Sequence, residues 1–188
     1  MSFTRASGIL LHPTSLPGRY GIGDLGQSAY GFVDFLAETK QQLWQILPLG
    51  PTGHGNSPYM CYSAMAGNPL LISLDALVDQ GLLNHGDLVD IPDFSRERVN
   101  YEQVVPYKLS LLKRAAQTFQ LTESKEFQEF CQAHSFWLED YCLFMALKEA
   151  NNGLSWSQWD GSVARREPDD LASWRYKLAD EIFMQKYL

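Results

Sequence analysis

Apolar residues along this chain fall into two patterns, one of short uninterrupted runs and one of helical periodicity. The uninterrupted runs occupy residues 8–11, 43–49 and 68–74. Runs of this length, bounded by glycine and proline, are typical of strands covered on both faces. Between the first two runs, residues 25–40 carry apolar side chains three or four positions apart, which predicts a helix. The order of strand, helix and strand predicts β/α units with a parallel sheet.

The segment before this helix contains a glycine pattern with two interpretations. Gly21, Gly23 and Gly26 fit the spacing of a dinucleotide-binding fingerprint. We reject that interpretation because the first glycine lies well beyond the end of the strand and because Asp24 would face the pyrophosphate. A tight turn followed by Asp24 as the helix N-cap, with Gln27 completing a capping box, explains the same residues.

The composition changes near residue 75. Residues 1–75 hold most of the glycines and prolines and read as β/α units with a binding loop, whereas residues 76–188 hold most of the charged residues and read as a mainly helical subdomain. The predicted helices of the second part cover residues 74–83, 101–119, 122–150 and 168–188. Thr122 is the expected N-cap of the longest of them. The last helix reaches Leu188 without a stop signal, so we expect the polypeptide to continue beyond it.

The overall composition is that of a folded protein, with 45% hydrophobic residues in a chain of 188. This length supports one domain, or one domain with a subdomain. The net charge of −7 and the scattered basic residues argue against nucleic acid and against acidic membrane surfaces as partners. The sequence shows neither the apolar region of a signal peptide nor an apolar run of about 20 residues, so no membrane segment is predicted.

The cysteines and histidines do not suggest a metal site. Cys61, Cys131 and Cys142 form no Cys-x-x-Cys pair, and the four histidines are dispersed. We therefore expect no disulfide framework, no metal and no cofactor. A reduced, cytoplasmic compartment is the simplest interpretation.

The loop between the second and third apolar runs is the best candidate for a binding surface. Tyr59 lies in it beside Asn56 and Ser57, and an aromatic face with nearby amide and hydroxyl groups suits a sugar ring. From the residues alone, however, anchoring of the loop is the favoured interpretation of Tyr59. His12 directly follows the first strand, so it should lie at the same end of the sheet, where it could donate to a ligand hydroxyl or brace the loop.

Carboxylate pairs are the usual catalysts of glycoside chemistry. Asp34 and Glu38 are four residues apart on a face that is expected to be solvated, and Glu139 is adjacent to Asp140 on a helix. None of them lies at the end of a predicted strand, and residues 43–74 contain no Asp or Glu. We therefore assign no catalytic residue to this chain.

Three stretches of the sequence closely resemble one family. They read GILLHPTSLPGRYGIGDLG, WQILPLGPTGHGNSPY and SAMAGNPLLISLDAL, and they resemble the N-terminal third of amylomaltases, the 4-α-glucanotransferases or disproportionating enzymes. The resemblance implies an α/β fold, the N-terminal part of a (β/α)₈ barrel of the α-amylase type with an α-helical insertion subdomain. It also implies α-1,4-glucans and maltooligosaccharides as substrates, in the cytoplasm or in a plastid.

The same resemblance implies a mechanism and assigns residues. Family members transfer glucan segments by a retaining double displacement with carboxylates from later strands, so this chain alone is expected to be inactive. Tyr59 matches a tyrosine that stacks on the donor sugar, and Ser57 matches a serine of the same loop. His54 differs from a tyrosine used by some members in an outer glucan contact, and Asn56 stands where others have aspartate. A non-catalytic module that binds glucans or a partner, and a related hydrolase, remain alternatives.

Overall fold

The computed structural model describes residues 5–122 and 124–188. Its backbone forms two compact units, Met1–Thr118 and Phe119–Leu188. The boundary predicted near residue 75 separates barrel units from a helical insertion. Compactness of the backbone does not test that boundary, so it stays a prediction.

The first unit contains two of the three strands that the sequence predicts. Strand β1 covers Gly8–Leu10 and strand β2 covers Leu43–Gln45. They are parallel, with Gly8 opposite Leu43, and the N–H of Leu11 continues the ladder by donating to the carbonyl of Gln45 at 3.0 Å. The predicted parallel pairing is confirmed. Strand β2 ends at Gln45, short of the predicted residue 49, and Pro48 has no N–H with which the ladder could resume.

The predicted third strand at residues 68–74 is wrong. Pro69–Leu71 forms a 3₁₀ turn, and the side chain of Asn68 caps it by accepting a hydrogen bond from the N–H of Leu70 at 3.0 Å. Pro69 favours this start because its ring fixes φ at a helical value. Leu70 and Leu71 are buried, so the apolar run reflects the core and not a strand.

Replacing Asn68 with alanine should lower the free energy of unfolding by about 1 kcal/mol, because a buried N–H would lose its acceptor. Urea unfolding of both proteins measures this difference. Asn68→Ser keeps a short side-chain oxygen and should restore most of the loss. Equal loss in both variants would show that the cap contributes little.

The helices follow the sequence pattern with shifted ends. They are α1 Gln27–Glu38, α2 Leu74–Asp79, α3 Tyr101–Gln120, α4 Lys125–Ala133, α5 Ser135–Ala150, α6 Gly161–Ala164, α7 Pro168–Lys177 and α8 Ala179–Tyr187. Short 3₁₀ turns occur at Pro13–Ser15, His54–Asn56, Pro69–Leu71, His85–Leu88 and Trp156–Gln158.

The predicted capping box at the start of α1 is wrong. Gly26 is the N-cap, and Gln27 is the first helical residue. The Asp24 carboxylate instead accepts from the N–H of Gly26 at 2.9 Å, and its other oxygen lies 3.7 Å from the ammonium of Lys108. Asp24 therefore bonds the N–H of the N-cap residue instead of an N–H in the first turn of the helix, and it also forms an ion pair with Lys108.

Lys108 is the only charged residue among the fully buried side chains of the described part of the chain. Its ammonium donates to the carbonyls of Leu70 and Ile72 at 2.7 and 2.8 Å, in addition to its contact with Asp24. Burial lowers the pKa of Lys108 to about 8, and the Asp24 carboxylate partly opposes that change. The same burial raises the pKa of Asp24. These bonds tie α3 to the segment that follows the candidate loop.

In the second unit, two predicted helices are each broken in two. The helix predicted over residues 122–150 breaks at His134, where φ is −106° and ψ is 8°, and Ser124 rather than Thr122 caps its first half. The last helix breaks at Leu178. The break at His134 lets Phe127 contact Phe119 while α5 buries its own apolar face. Tertiary packing therefore divides into two helices a segment whose sequence pattern predicts one.

Candidate functional site

The loop between β2 and the Pro69–Leu71 turn contains a short hairpin, which backbone hydrogen bonds close at its base. Thr52 and Cys61 form an antiparallel bridge, and the N–H of Gly53 donates to the carbonyl of Met60 at 2.7 Å. A Cβ on Gly53 would lie 2.7 Å from that carbonyl oxygen, so only glycine fits this close approach. The loop has a defined shape without any contribution from its tip.

The tip of the hairpin turns sharply at two residues in the left-handed region. Gly55 has φ 69° and Asn56 has φ 53°, and asparagine is one of the few side chains that tolerate this region. Ser57 follows, and its hydroxyl accepts a hydrogen bond from the N–H of Tyr59 at 3.3 Å. The thiol of Cys61 donates to the carbonyl of Pro58 at 2.9 Å. These local bonds fix the backbone of Tyr59. The difference noted at His54 concerns a side chain outside the described part of the structure.

Tyr59 presents its ring to solvent. The residue is 73% exposed, and its neighbour Met60 is 57% exposed. An aromatic ring that anchored the loop would be buried against it, and Tyr20 shows that arrangement in the same unit at 2% exposed. A large exposed ring on an ordered backbone is instead available for contact with a ligand.

His12 belongs to the segment after β1, where it precedes the Pro13–Ser15 turn. Its carbonyl accepts from the N–H of Ser15 at 2.9 Å. Its Nδ1 is buried and has no hydrogen-bond partner among the described residues. Burial lowers the pKa of His12, which favours the neutral ring. Within this part of the chain, His12 therefore does not brace the loop through Nδ1, and that nitrogen is left for a partner from elsewhere.

Sequence reasoning missed a polar cluster beside an open cleft in the first unit. The hydroxyl of Tyr20 donates to the Asp75 carboxylate at 2.6 Å, and the Arg19 guanidinium contacts the same carboxylate. The cleft beside them has a volume of about 920 Å³. Burial raises the pKa of Tyr20, so it stays a neutral donor. Because more than fifty positions separate Tyr20 from Asp75, no local pattern could have indicated the contact.

The carboxylates considered from sequence are placed where they cannot act on a substrate together. Asp34 and Glu38 are exposed on α1. Glu139 and Asp140 are held in ion pairs, with Asp140 accepting from Arg166 at 2.8 Å. Over the described residues, no group of three or more His, Cys, Asp and Glu side chains comes close enough together to hold a metal ion.

Comparison with known proteins identifies relatives of this chain in sequence and in structure. The family model described as 4-alpha-glucanotransferase, glycoside hydrolase family 77, matches residues 11–188. The 4-alpha-glucanotransferase of Synechocystis is 55% identical over 98% of this chain, and the chloroplastic or amyloplastic 4-alpha-glucanotransferase of Solanum tuberosum is 42% identical over 86%. An amylomaltase from Streptococcus agalactiae, solved in complex with acarbose, is 40% identical, with a TM-score of 0.91 over 97% of this chain.

The chain belongs to the 4-alpha-glucanotransferase family, glycoside hydrolase family 77. Its fold is that of the matching part of an amylomaltase. The resemblance seen in the sequence is therefore confirmed. The chain spans 37% of the length of the Synechocystis relative, 29% of the potato relative and 38% of the amylomaltase structure. None of the helices in the described residues is both long and apolar enough to cross a membrane.

Proposed function

We propose that these residues form the N-terminal part of a 4-α-glucanotransferase that moves α-1,4-glucan segments onto a glucan or glucose acceptor. Membership of the family supports the activity, and acarbose bound to the Streptococcus agalactiae amylomaltase supports a glucan-like ligand. The chemistry is a retaining double displacement whose two carboxylates would lie about 5–5.5 Å apart. The proposed substrates are α-1,4-glucans and maltooligosaccharides, and the proposed location is the cytoplasm or a plastid.

The proposed architecture is a (β/α)₈ barrel in which residues 1–75 supply the first units and residues 76–188 supply a helical insertion. The parallel pair of β1 and β2 supports it, because parallel strands are found almost entirely in sheets covered on both faces. Leu10 and Leu43 on these strands are exposed, as are Val33 and Phe35 on α1. Further strands and helices of a barrel would cover these apolar side chains.

The exposed ring of Tyr59 carries the proposed substrate contact. At 73% exposed on a backbone fixed by Ser57, it offers its face to the C–H surface of a sugar. Ser57 and Asn56 supply hydroxyl and amide groups to the sugar hydroxyls from the same turn. His12, which follows β1, is the further proposed contact; because its Nδ1 is buried, the contact to a sugar hydroxyl falls to its other ring nitrogen.

The chain alone should not transfer glucans. No Asp or Glu occurs in residues 43–74, and the carboxylates considered elsewhere are either exposed on α1 or held in ion pairs. Incubation with maltotriose followed by chromatography should show no longer or shorter products from the chain, and a full ladder from the longer protein. Glucose or maltopentaose formed by the chain alone would contradict the assignment of the chemistry to later strands.

A further inference from the structure

The second unit contains an open cavity that none of the roles above uses. Its volume is about 310 Å³, which is at the lower end of the range for ligand sites and sufficient for one sugar ring. Trp156, Trp159 and Phe144 line its apolar side, and Asp140 and Arg166 lie among its polar lining. An apolar surface with a few polar groups is the composition expected of a site for a small amphipathic ligand.

The aromatic side combines a fixed ring with an exposed one. The ring of Trp159 lies 5.6 Å from that of Phe144, and its indole N–H donates to the carbonyl of Leu154 at 3.2 Å. Trp156 begins the Trp156–Gln158 turn, which is held by a capping box between Ser155 and Gln158. Although its backbone is fixed in this way, Trp156 is 58% exposed. Tryptophan loses favourable burial by facing water, so an ordered and exposed indole indicates a contact surface.

The charged lining consists of one ion pair. Arg166 donates to the Asp140 carboxylate at 2.8 Å, and Arg175, which also lies 3.8 Å from Glu139, donates to the other oxygen of Asp140 at 3.3 Å. The two lining charges, Asp140 and Arg166, are of opposite sign and cancel, so Asp140 does not present an unpaired negative charge to a cationic ligand. Guanidinium and carboxylate groups retain further donor and acceptor positions for neutral hydroxyls.

The guanidinium of Arg166 reaches the cavity from the end of a helix. Arg166 follows the C-cap of α6 and has φ 60°, in the left-handed region. Glycine is the usual residue at this position of a helix end because a Cβ there is strained. Lys40 has φ 58° at the same position after α1, so the assignment of Arg166 to the cavity rests on its place in the lining and not on its backbone conformation.

We propose that this cavity is a second glucan-binding site, in which one pyranose ring stacks on Trp156 and its hydroxyls bond to Arg166 and Asp140. The choice of an α-glucan as the ligand rests on the proposed function, whereas the class of neutral sugar follows from the rings and the balanced ion pair. Such a site would hold a long glucan on the protein between successive transfers.

The test uses the protein at its full length, labelled with 5-fluorotryptophan and titrated with a maltotetraoside whose linkages contain sulfur and resist transfer. Fluorine NMR follows the Trp156 signal, which is assigned from its loss in Trp156→Phe. We expect this signal to shift saturably, with a dissociation constant on the order of 1 mM. Arg166→Gly should weaken the midpoint by about tenfold, because charged hydrogen bonds are lost, while its melting temperature is unchanged or higher.

Matched variants separate this site from the Tyr59 loop. Tyr59→Ala should leave the Trp156 titration unchanged, and Phe136→Ala, which removes another exposed ring of the second unit, should do the same. A Trp156 signal that does not respond, because the site is covered by the rest of the protein or does not bind sugar, overturns the inference. So does a response that Arg166→Gly leaves intact. The proposed transferase function would fail independently, through absence of transfer from maltotriose.

Discussion

Replacing Tyr59 with alanine should lower the rate of glucan transfer by the full-length protein at least about tenfold, with the fold intact. A stacked ring is worth up to about 1.5 kcal/mol beyond the apolar area that it buries, and each 1.4 kcal/mol of lost transition-state binding is about tenfold in rate. The fold should persist because Tyr59 is 73% exposed and makes no core contact that the variant would remove. Product formation from maltotriose and the thermal melting curve provide the two readouts.

Two control variants make this test specific. Tyr59→Phe keeps the ring and should retain most of the activity, which separates stacking from hydrogen bonding by the hydroxyl. Tyr176 is 88% exposed in the second unit and has no proposed contact with substrate, so Tyr176→Ala should transfer at the normal rate. Unchanged transfer by Tyr59→Ala would remove Tyr59 from the substrate site and return the loop to a structural role.

Replacing Lys108 with methionine should lower the free energy of unfolding by about 3–5 kcal/mol, the range for removing one partner of a buried ion pair. The variant leaves the carbonyls of Leu70 and Ile72 without their donor and leaves the Asp24 carboxylate without its nearest cation. Methionine fills the same volume, so the loss reports on polar bonds and not on a cavity. Urea unfolding measures the difference. Lys113 is exposed on the same helix, and Lys113→Met should change stability by no more than about 0.5 kcal/mol.

The stability difference between the parent chain and Lys108→Met should also depend on pH. Lys108 has a pKa of about 8 in the folded protein and an ordinary value of 10.5. Between these values the unfolded chain binds more protons than the folded one, so the contribution of Lys108 to stability rises with pH across that window. It is constant below pH 8, where both states are protonated. The loss of unfolding free energy in Lys108→Met should therefore be larger at pH 10 than at pH 7. A smaller loss at pH 10 would show that the folded protein favours the charged ammonium over the neutral amine.

The sequence predicted the parallel pair, the first helix and the loop correctly because those features depend on local patterns. The runs at residues 8–11 and 43–49 each produced a strand, and the glycine- and proline-rich segment that follows forms the predicted loop, although its hairpin was not predicted. The third run failed because Asn68 and Pro69 form a capped turn whose apolar residues face the core. A continuous apolar run does not distinguish a buried strand from a buried turn, so the side-chain cap decided the outcome.

The other differences arise from contacts between distant residues. Asp24 has the right residue type for an N-cap, but Lys108, far along the chain, binds its carboxylate. The cluster of Tyr20 with Asp75 and the ion pair of Arg166 with Asp140 also join residues that no local pattern links. Of the candidate site, the roles of Tyr59, Ser57, Asn56 and His12 stay predictions, and the structure adds their exposure and their local bonds.

The bridge between Thr52 and Cys61 separates the base of the candidate loop from its tip. Because the backbone closes before residue 54, replacements at residues 54–56 need not disturb the bonds that hold Tyr59, provided that positions 55 and 56 accept left-handed conformations. The tip at residues 54–56 can therefore be replaced while the backbone that supports it keeps its conformation. Libraries confined to these three positions offer a route to altering the glucan length preferred by the proposed transferase while Tyr59, the proposed stacking residue, stays in place.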